Sequence, residues 1–267
     1  MKKRLIAVLC AIACTMSLTA CGAGTGAAGA ADSDVAYIQD KGTLVVGITD
    51  FAPMDYKNDN GEWIGFDADM ATKIASALGV KVEFVEIDWD NKILELDNKS
   101  IDVVWNGMTL TDEVKNSMEC TKPYLNNAQV VVTSADKASS ITDTAAASGL
   151  SYAVEAGSAG EAAAADNGFE YTSVTSQADA VMEVAAGTSD ACIIDLLMAG
   201  AMVGEVTSYP DLATTSVELT SEEYGVGCRK GSDLAAYIND QFKSLYDDGT
   251  INKIAEIYGV QYAILAQ

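Results

Sequence analysis

The sequence predicts an α/β fold with mainly parallel sheets, because short apolar runs alternate with amphipathic segments from Gly42 onward. Strands that alternate with helices are typical of sheets whose neighbouring strands run in the same direction. About 235 residues follow the N-terminal region, enough for one large domain or for two lobes with sizeable cores. There is no internal repeat and no phosphate-loop or dinucleotide-binding motif.

The individual elements follow from the spacing of apolar residues. Residues 44–48 predict a buried strand. Met70, Ile74 and Leu78 recur at helical spacing before Gly79, which predicts a helix at 67–78. Further strands are predicted at 80–84, 101–105, 129–133, 150–154, 191–194 and 224–228, and further helices at 93–96, after 161, from 196 and from 234.

The N-terminus resembles a lipoprotein signal. Three basic residues precede an apolar run that ends near Ala20, and Leu-Thr-Ala-Cys at 18–21 resembles the lipobox in which Cys21 is acylated. We therefore predict a signal peptide at 1–20, and a lipidated cysteine with a flexible tether at 21–40. The protein would be exported and anchored by its lipid to the outer face of the cytoplasmic membrane. The alternative is an ordinary signal peptide that is cut near Ala20.

Composition excludes several classes of function. The chain has 39 acidic and 16 basic residues, for a net charge of −23, which disfavours nucleic-acid binding. It has no histidine, the commonest general base and metal ligand. We expect no catalytic residues, no metal and no cofactor. Cys120, Cys192 and Cys228 are too far apart for a C-x-x-C motif, which leaves a Cys120–Cys228 disulfide or three free thiols.

Polar residues follow several of the predicted strands, and ligands of parallel sheets bind beyond the carboxyl ends of the strands. These residues are Asp50, Asn106, Thr109, Ser158 and Asp195. We predict that they contribute to a ligand site.

Eight short motifs, in this order, resemble the family 3 extracellular solute-binding proteins, the polar amino-acid receptors of ABC importers. The motifs are GTLVVG at 42–47, GFDADM at 65–70, GMTLTDE at 107–113, PY at 123–124, AGS at 156–158, DACIID at 190–195, EYGVG at 223–227 and DGT at 248–250. Together they extend over most of residues 41–260.

The resemblance implies a two-lobed type II periplasmic binding protein fold that closes on a small-molecule ligand. Lobe 1 would contain 41–131 and 225–267, and lobe 2 would contain 132–224. Two hinge strands, near 130–133 and 224–228, would join the lobes. The protein would act as a monomer that delivers an amino acid or amine to an ABC transporter permease, with no membrane contact apart from its lipid.

The resemblance also implies ligand contacts. Phe51 and Trp89 match aromatic residues that sandwich the ligand side chain. The alternative for both is core packing, and for Trp105 the two interpretations are evenly balanced.

Backbone and hydroxyl groups are implied on both sides of the ligand. Asn106, Gly107 and Thr109 match a segment that meets the ligand, although Thr109 could instead cap the next helix. Ser158 and Ala159 match the helix start that binds the ligand α-carboxylate.

Asp195 matches the carboxylate that binds the ligand α-amino group, with a helix N-cap as its alternative. One position departs from the family pattern. Where most members have an arginine that clamps the ligand carboxylate, this chain has Val114. Arg229 is expected at the hinge, and Lys115 and Lys122 are the cations nearest to Val114 in sequence.

Two hypotheses for the ligand follow. It is an amino acid whose carboxylate is bound by the Ser158 helix end, Thr109 and a lysine, or it is a cationic amine without a free carboxylate. Two other classes of function stay open. One is a cyclohexadienyl dehydratase-like lyase, which the lack of histidine disfavours, and the other is a surface sensor.

Overall fold

The structure is a computed structural model that describes residues 33–267. The predicted signal peptide and Cys21 lie outside the described residues. The strands are β1 Thr43–Ile48, β2 Tyr56–Lys57, β3 Trp63–Ile64, β4 Lys81–Glu86, β5 Val103–Val104, β6 Glu119–Cys120, β7 Leu125–Asn127, β8 Gln129–Ser134, β9 Ser151–Glu155, β10 Glu170–Val174, β11 Ala191–Asp195, β12 Leu212–Glu218, β13 Glu222–Tyr224 and β14 Gly227–Cys228.

Helices connect most of these strands. They are α1 Asp34–Lys41, α2 Phe66–Leu78, α3 Lys92–Asp97, α4 Asp112–Ser117, α5 Ala135–Ala138, α6 Thr144–Ala147, α7 Ala159–Asp166, α8 Gln177–Ala186, α9 Leu196–Met202, α10 Leu234–Asp247 and α11 Thr250–Tyr258, with short 3₁₀ helices at Trp89–Asn91 and Gln261–Ala263. The predicted α/β class is confirmed.

Two five-stranded sheets define two lobes. The sheet of lobe 1 has the order β4-β1-β5-β14-β6, and the sheet of lobe 2 has the order β10-β9-β11-β8-β12. In each sheet four strands run in one direction and one strand, β14 or β8, runs against them. The sheets are therefore mainly parallel, as predicted, and each reversed strand is reached after the chain has crossed between the lobes.

The chain crosses between the lobes at β7 and β13, which pair antiparallel in a two-stranded sheet of their own. The hinge strands predicted at 130–133 and 224–228 are thus displaced. Residues 130–133 lie inside β8 in lobe 2, and the second predicted strand is divided into β13 and β14 by Gly225 and Val226. Gly225 leaves no room for a side chain, since a Cβ there would lie 2.6 Å from Leu110 Cδ2.

Both faces of the lobe 1 sheet are buried, as expected for a mainly parallel sheet covered by helices. Val103 and Val104 of β5 point to opposite faces. Val103 packs in the large core with residues of α2 and α10, whereas Val104 packs in a smaller cluster with Trp89, Met108 and Val114. This smaller cluster lies under the edge of the sheet where the polar strand ends were predicted to meet.

The predicted tether is partly wrong, because residues 34–40 belong to α1. Ser33 caps this helix, and Arg229 binds it to lobe 1 through hydrogen bonds of 2.8 to 3.1 Å to the Asp34 carboxylate. Arg229 also lies 3.4 Å from Asp102, which in turn pairs with Lys41. Arg229 is therefore buried inside lobe 1 in a structural ion network, and not at the hinge.

Cys120, Cys192 and Cys228 are free thiols. Among the described residues, no helix is long and apolar enough to cross a membrane.

Candidate ligand-binding site

A cavity of about 300 Å³ lies between the two lobes, beyond the carboxyl ends of their strands. Lobe 1 contributes Trp89, Lys92, Asn106, Gly107, Met108, Thr109, Thr111, Asp112, Glu113 and Val114 to its wall, and lobe 2 contributes Glu155, Gly157, Ser158, Ala159, Ala162, Gln177 and Asp195. Of the predicted site residues, the structure brings together Trp89, Asn106, Gly107, Thr109, Ser158, Ala159 and Asp195, and leaves out Asp50 and Phe51.

Asp195 ends β11 at the cavity wall and is held by side-chain donors from four directions. Its carboxylate accepts hydrogen bonds from Gln129 Nε2 at 3.0 Å and from the Tyr224 hydroxyl at 2.5 Å, and also from the amides of Asn127 and Gln177. It occupies the N-cap position of α9 but makes no capping bond with its side chain, so the helix-cap alternative is wrong. These neutral donors fix the carboxylate in place without neutralising its charge.

Burial makes the ionised form of Asp195 costly. Burial, together with the nearby carboxylate of Glu222, raises the pKa of Asp195 to about 7 against the opposing hydrogen bonds from Tyr224, Gln177 and Gln129. No lysine or arginine among residues 33–267 forms an ion pair with Asp195. A cation placed next to it would therefore be bound strongly.

The start of α7 faces the same cavity from lobe 2. The Ser158 hydroxyl caps the helix by accepting the Glu161 N–H at 3.1 Å, and the Glu161 carboxylate accepts the Gly157 N–H at 2.7 Å. Ala159 lines the cavity, and within the described part of the chain its backbone N–H has no acceptor. This N–H, together with the positive end of the helix, favours an anion.

Sequence reasoning missed Lys92, the first residue of α3, which is only 8% exposed. Its ammonium donates hydrogen bonds to the carbonyls of Trp89 at 3.2 Å and Gly157 at 2.9 Å, and lies 5.0 Å from the centre of the Trp89 ring. Since an ammonium has three donors, one remains for the cavity. Burial lowers the pKa of Lys92. Lys115 and Lys122, named from proximity in sequence, do not line the cavity.

Glu155 was also missed, although it ends the apolar strand β9 just as Asp195 ends β11. It is 2% exposed, and its Oε1 has no hydrogen-bond partner in the part of the chain that the structure describes. Burial raises the pKa of Glu155 to about 8, helped by the negative charge of Asp195, whereas Lys92 acts against the increase. The rule that identified Asp195, a charge at the end of a buried strand, would have found it.

Phe51 lies in the core and does not line the cavity. It is 1% exposed and packs edge to face on Tyr224, with ring centroids 6.4 Å apart. It lies beneath Gly107, where an added Cβ would be 2.4 Å from the Phe51 ring. Asp50 is exposed outside the cavity, and Trp105 is fully buried against Tyr124 and Phe242. Of the predicted aromatic residues, only Trp89 faces the cavity.

Several polar groups of lobe 1 are already engaged by protein partners. Gly107 donates its N–H to Asp67 at 2.6 Å, and Thr109 donates its hydroxyl to Glu222 at 2.8 Å. Thr111, and not Thr109, caps α4. The Asn106 amide donates to Thr49 at 2.8 Å, and the buried Asn106 Oδ1 has no partner among the described residues. This carbonyl oxygen is therefore a free acceptor for a ligand N–H.

Val114 presents an apolar wall at the position that the family pattern gives to arginine. It is 4% exposed and packs with Trp89 and Met108. The neighbouring Asp112 and Glu113 are exposed acidic residues at the cavity edge. The lysine that lines the cavity is Lys92, which follows Trp89 by three residues in the sequence.

The two lobes touch at Gly157, which lies against Asp90 of lobe 1. A Cβ at Gly157 would be 2.7 Å from the Asp90 Cα. We expect Gly157→Ala to hold the lobes apart, seen as a larger radius of gyration in small-angle X-ray scattering with ligand present. Gly168→Ala is the matched control, because Gly168 has nearly the same φ (67° against 68°) but open space around it. Equal radii for both variants would contradict this expectation.

Two α/β lobes, joined by a pair of strands around a polar cavity, define a type II periplasmic binding protein. The sequence model of the bacterial extracellular solute-binding proteins, family 3, matches residues 44–261, and the chain belongs to this family. The L-cystine-binding protein TcyJ of Escherichia coli (strain K12) is 29% identical over 224 residues, which are 82% of this chain and 83% of that protein.

Two solved structures are similar as well. An ABC uptake transporter substrate binding protein from Streptococcus pneumoniae with bound histidine has a TM-score of 0.79 at 30% identity, over 86% of this chain and 98% of that chain. The ancestral amino acid-binding protein AncCDT-1, described as a precursor of cyclohexadienyl dehydratase, has a TM-score of 0.77 at 32% identity, over 85% and 99%.

Proposed function

We propose that this protein is the substrate-binding component of an ABC importer and that it binds an amino acid between its lobes. The observation that carries the proposal is Asp195, a buried carboxylate on the cavity wall whose hydrogen-bond partners among residues 33–267 are all neutral. A ligand ammonium would supply the missing cation. The names of the relatives, which bind L-cystine, histidine or an unspecified amino acid, support an amino acid as the source of that ammonium.

In this proposal the ligand carboxylate lies between the start of α7 and Lys92. The Ala159 N–H and the third donor of Lys92 have no acceptor among the residues that the structure describes, and both residues line the cavity. Lys92 would thereby take the role of the arginine that most family members have at the position of Val114. Trp89 would cover one side of the ligand, and Asn106 would accept an N–H bond. Asp50 and Phe51 have no role in this proposal, because neither lines the cavity.

We also propose that the mature protein is a monomer anchored through Cys21 and delivers its ligand to a permease. The Leu-Thr-Ala-Cys sequence at 18–21 and the extracellular character of the family support export and anchoring.

One observation favours a second candidate, a cationic amine without a carboxylate. With valine at position 114, the site has no arginine there to bind a carboxylate through two parallel hydrogen bonds. Lys92 offers only a point charge instead. Catalysis is a weaker alternative. The similarity to the precursor of cyclohexadienyl dehydratase suggests this alternative, and an assay for turnover of prephenate-like acids would test it.

A thermal-shift screen of refolded, ligand-stripped protein tests the proposal. Each L-amino acid is compared with its decarboxylated amine. A ligand at a hundred times its Kd adds about 2.7 kcal/mol to the free energy of unfolding, or several degrees in Tm. We expect amino acids to raise Tm and the amines not to. Shifts by amines alone would favour the second candidate, and no shift by either set would refute both.

A further inference from the structure

We propose that Glu155 forms a second cation-binding subsite in the cavity, so that the ligand is an amino acid with an additional amino or guanidino group. This inference rests on the proposed function. It starts from the Oε1 atom of Glu155, a buried carboxylate oxygen on the cavity wall without any hydrogen-bond partner in the described residues. A buried oxygen of this kind is costly unless a donor approaches it.

The balance of buried charge leads to the same conclusion. The buried ionisable side chains on the cavity wall are Lys92, Glu155 and Asp195, which together carry one net negative charge when ionised. A zwitterionic amino acid adds one positive and one negative charge, so ionised Glu155 would still be an unbalanced charge and the carboxyl group stays protonated. A further cation on the ligand allows Glu155 to ionise.

No protein group already fills this role. Lys92 is the nearest cation, but its ammonium is directed to the carbonyls of Trp89 and Gly157, and it forms no ion pair with Glu155. The other groups that face Glu155 are Asp195, which repels it, and the neutral Gln177 and Thr49. Glu155 and Asp195 end adjacent strands, β9 and β11, so one ligand can reach both.

The test compares cationic amino acids with a neutral one. Isothermal titration is carried out with L-arginine, with L-citrulline, its uncharged analogue of closely similar size, and with L-ornithine, a smaller cationic amino acid. We expect wild-type protein to bind arginine or ornithine at least about thirtyfold more tightly than citrulline, because a buried charge-assisted bond is worth about 2 kcal/mol or more. Glu155→Gln should reduce this preference to within about threefold and leave citrulline affinity nearly unchanged.

Two controls separate a direct contact from a general change in charge or structure. Glu83→Gln removes an exposed carboxylate of β4 and should retain the preference, since exposed charges are screened by solvent. Isothermal titration in buffers that differ in ionisation enthalpy measures how many protons are released when the ligand binds. With a Glu155 pKa of about 8, ligand binding at pH 7 should release about one proton more in wild-type protein than in Glu155→Gln.

The outcomes distinguish this inference from the proposed function. If neutral and cationic amino acids bind wild-type protein equally, or if Glu155→Gln keeps the preference, the subsite is refuted while amino-acid binding stands. If no amino acid binds, the proposed function fails first and the subsite fails with it.

Discussion

Replacing Asp195 by asparagine lowers the affinity for the amino-acid ligand by about a hundredfold or more. In the proposed function the buried carboxylate is the partner of the ligand ammonium, and removal of one charge from such a pair typically costs about 2–5 kcal/mol. About 2.7 kcal/mol corresponds to the hundredfold loss. Asparagine has nearly the same shape, so the cavity is retained. Titration with the ligand identified by the thermal-shift screen measures the effect.

Tyr224→Phe is the matched intermediate variant. It removes only the hydroxyl that donates to Asp195 at 2.5 Å. Because that bond helps to keep Asp195 ionised, its loss raises the Asp195 pKa and weakens binding at neutral pH, by a smaller factor than Asp195→Asn. The difference should shrink above pH 8. Unchanged affinity in Asp195→Asn, with the fold confirmed by circular dichroism, would refute both candidate ligand classes.

Much of the fold could be predicted from the sequence, because the strongest patterns belong to fully buried elements. The predicted strand at 44–48 and helix at 67–78 differ from β1 and α2 by one residue each at their N-termini. The hinge was harder to place. Residues 129–133 and 224–228 are uncharged runs with valines at their centres, and such a run does not indicate which of its residues pair within a lobe and which link the lobes.

The site was predicted less completely, because sequence position alone does not show which side chains reach the cavity. The strand-end rule finds the edge of a sheet where side chains meet, but not how deep each side chain lies. Gly107 allows the backbone to approach Phe51 closely and thereby covers that ring. Lys92 escaped notice because it shares one face of α3 with the buried Leu96, a position where a lysine usually reaches solvent.

The ligand-free protein should be more stable at pH 5.5 than at pH 8, owing to carboxyl groups buried without cations. Asp55 is fully buried, and neither of its carboxylate oxygens has a partner within residues 33–267; burial together with the negative charge of Asp67 raises its pKa well above the usual value. Burial raises the pKa of Asp67 to about 7, although Gly107 and Tyr124 donate hydrogen bonds to it.

The sign of the effect follows from proton binding. A group whose pKa is higher in the folded state than in the unfolded state favours folding below the unfolded value, near 3.8 for Asp. That stability is lost as the pH rises through the folded pKa, because the unfolded chain binds fewer protons across this window. With Asp67 and Asp195 near 7 and Glu155 near 8, the loss falls between about pH 4 and 8 and amounts to several kcal/mol.

Urea unfolding at pH 5.5, 7 and 8.5, followed by tryptophan fluorescence, measures this dependence. Asp55→Asn should stabilise the protein at pH 8.5 and have little effect at pH 5.5, because asparagine resembles the protonated acid and cannot ionise. Asp59→Asn, in the exposed segment after β2, controls for the change in net charge and should leave the pH dependence as it is. If the difference in free energy of unfolding between Asp55→Asn and wild type were the same at all three pH values, Asp55 would not be a source of the pH dependence. Ligand binding should oppose the trend, since a cation beside Asp195 stabilises the ionised form that burial disfavours.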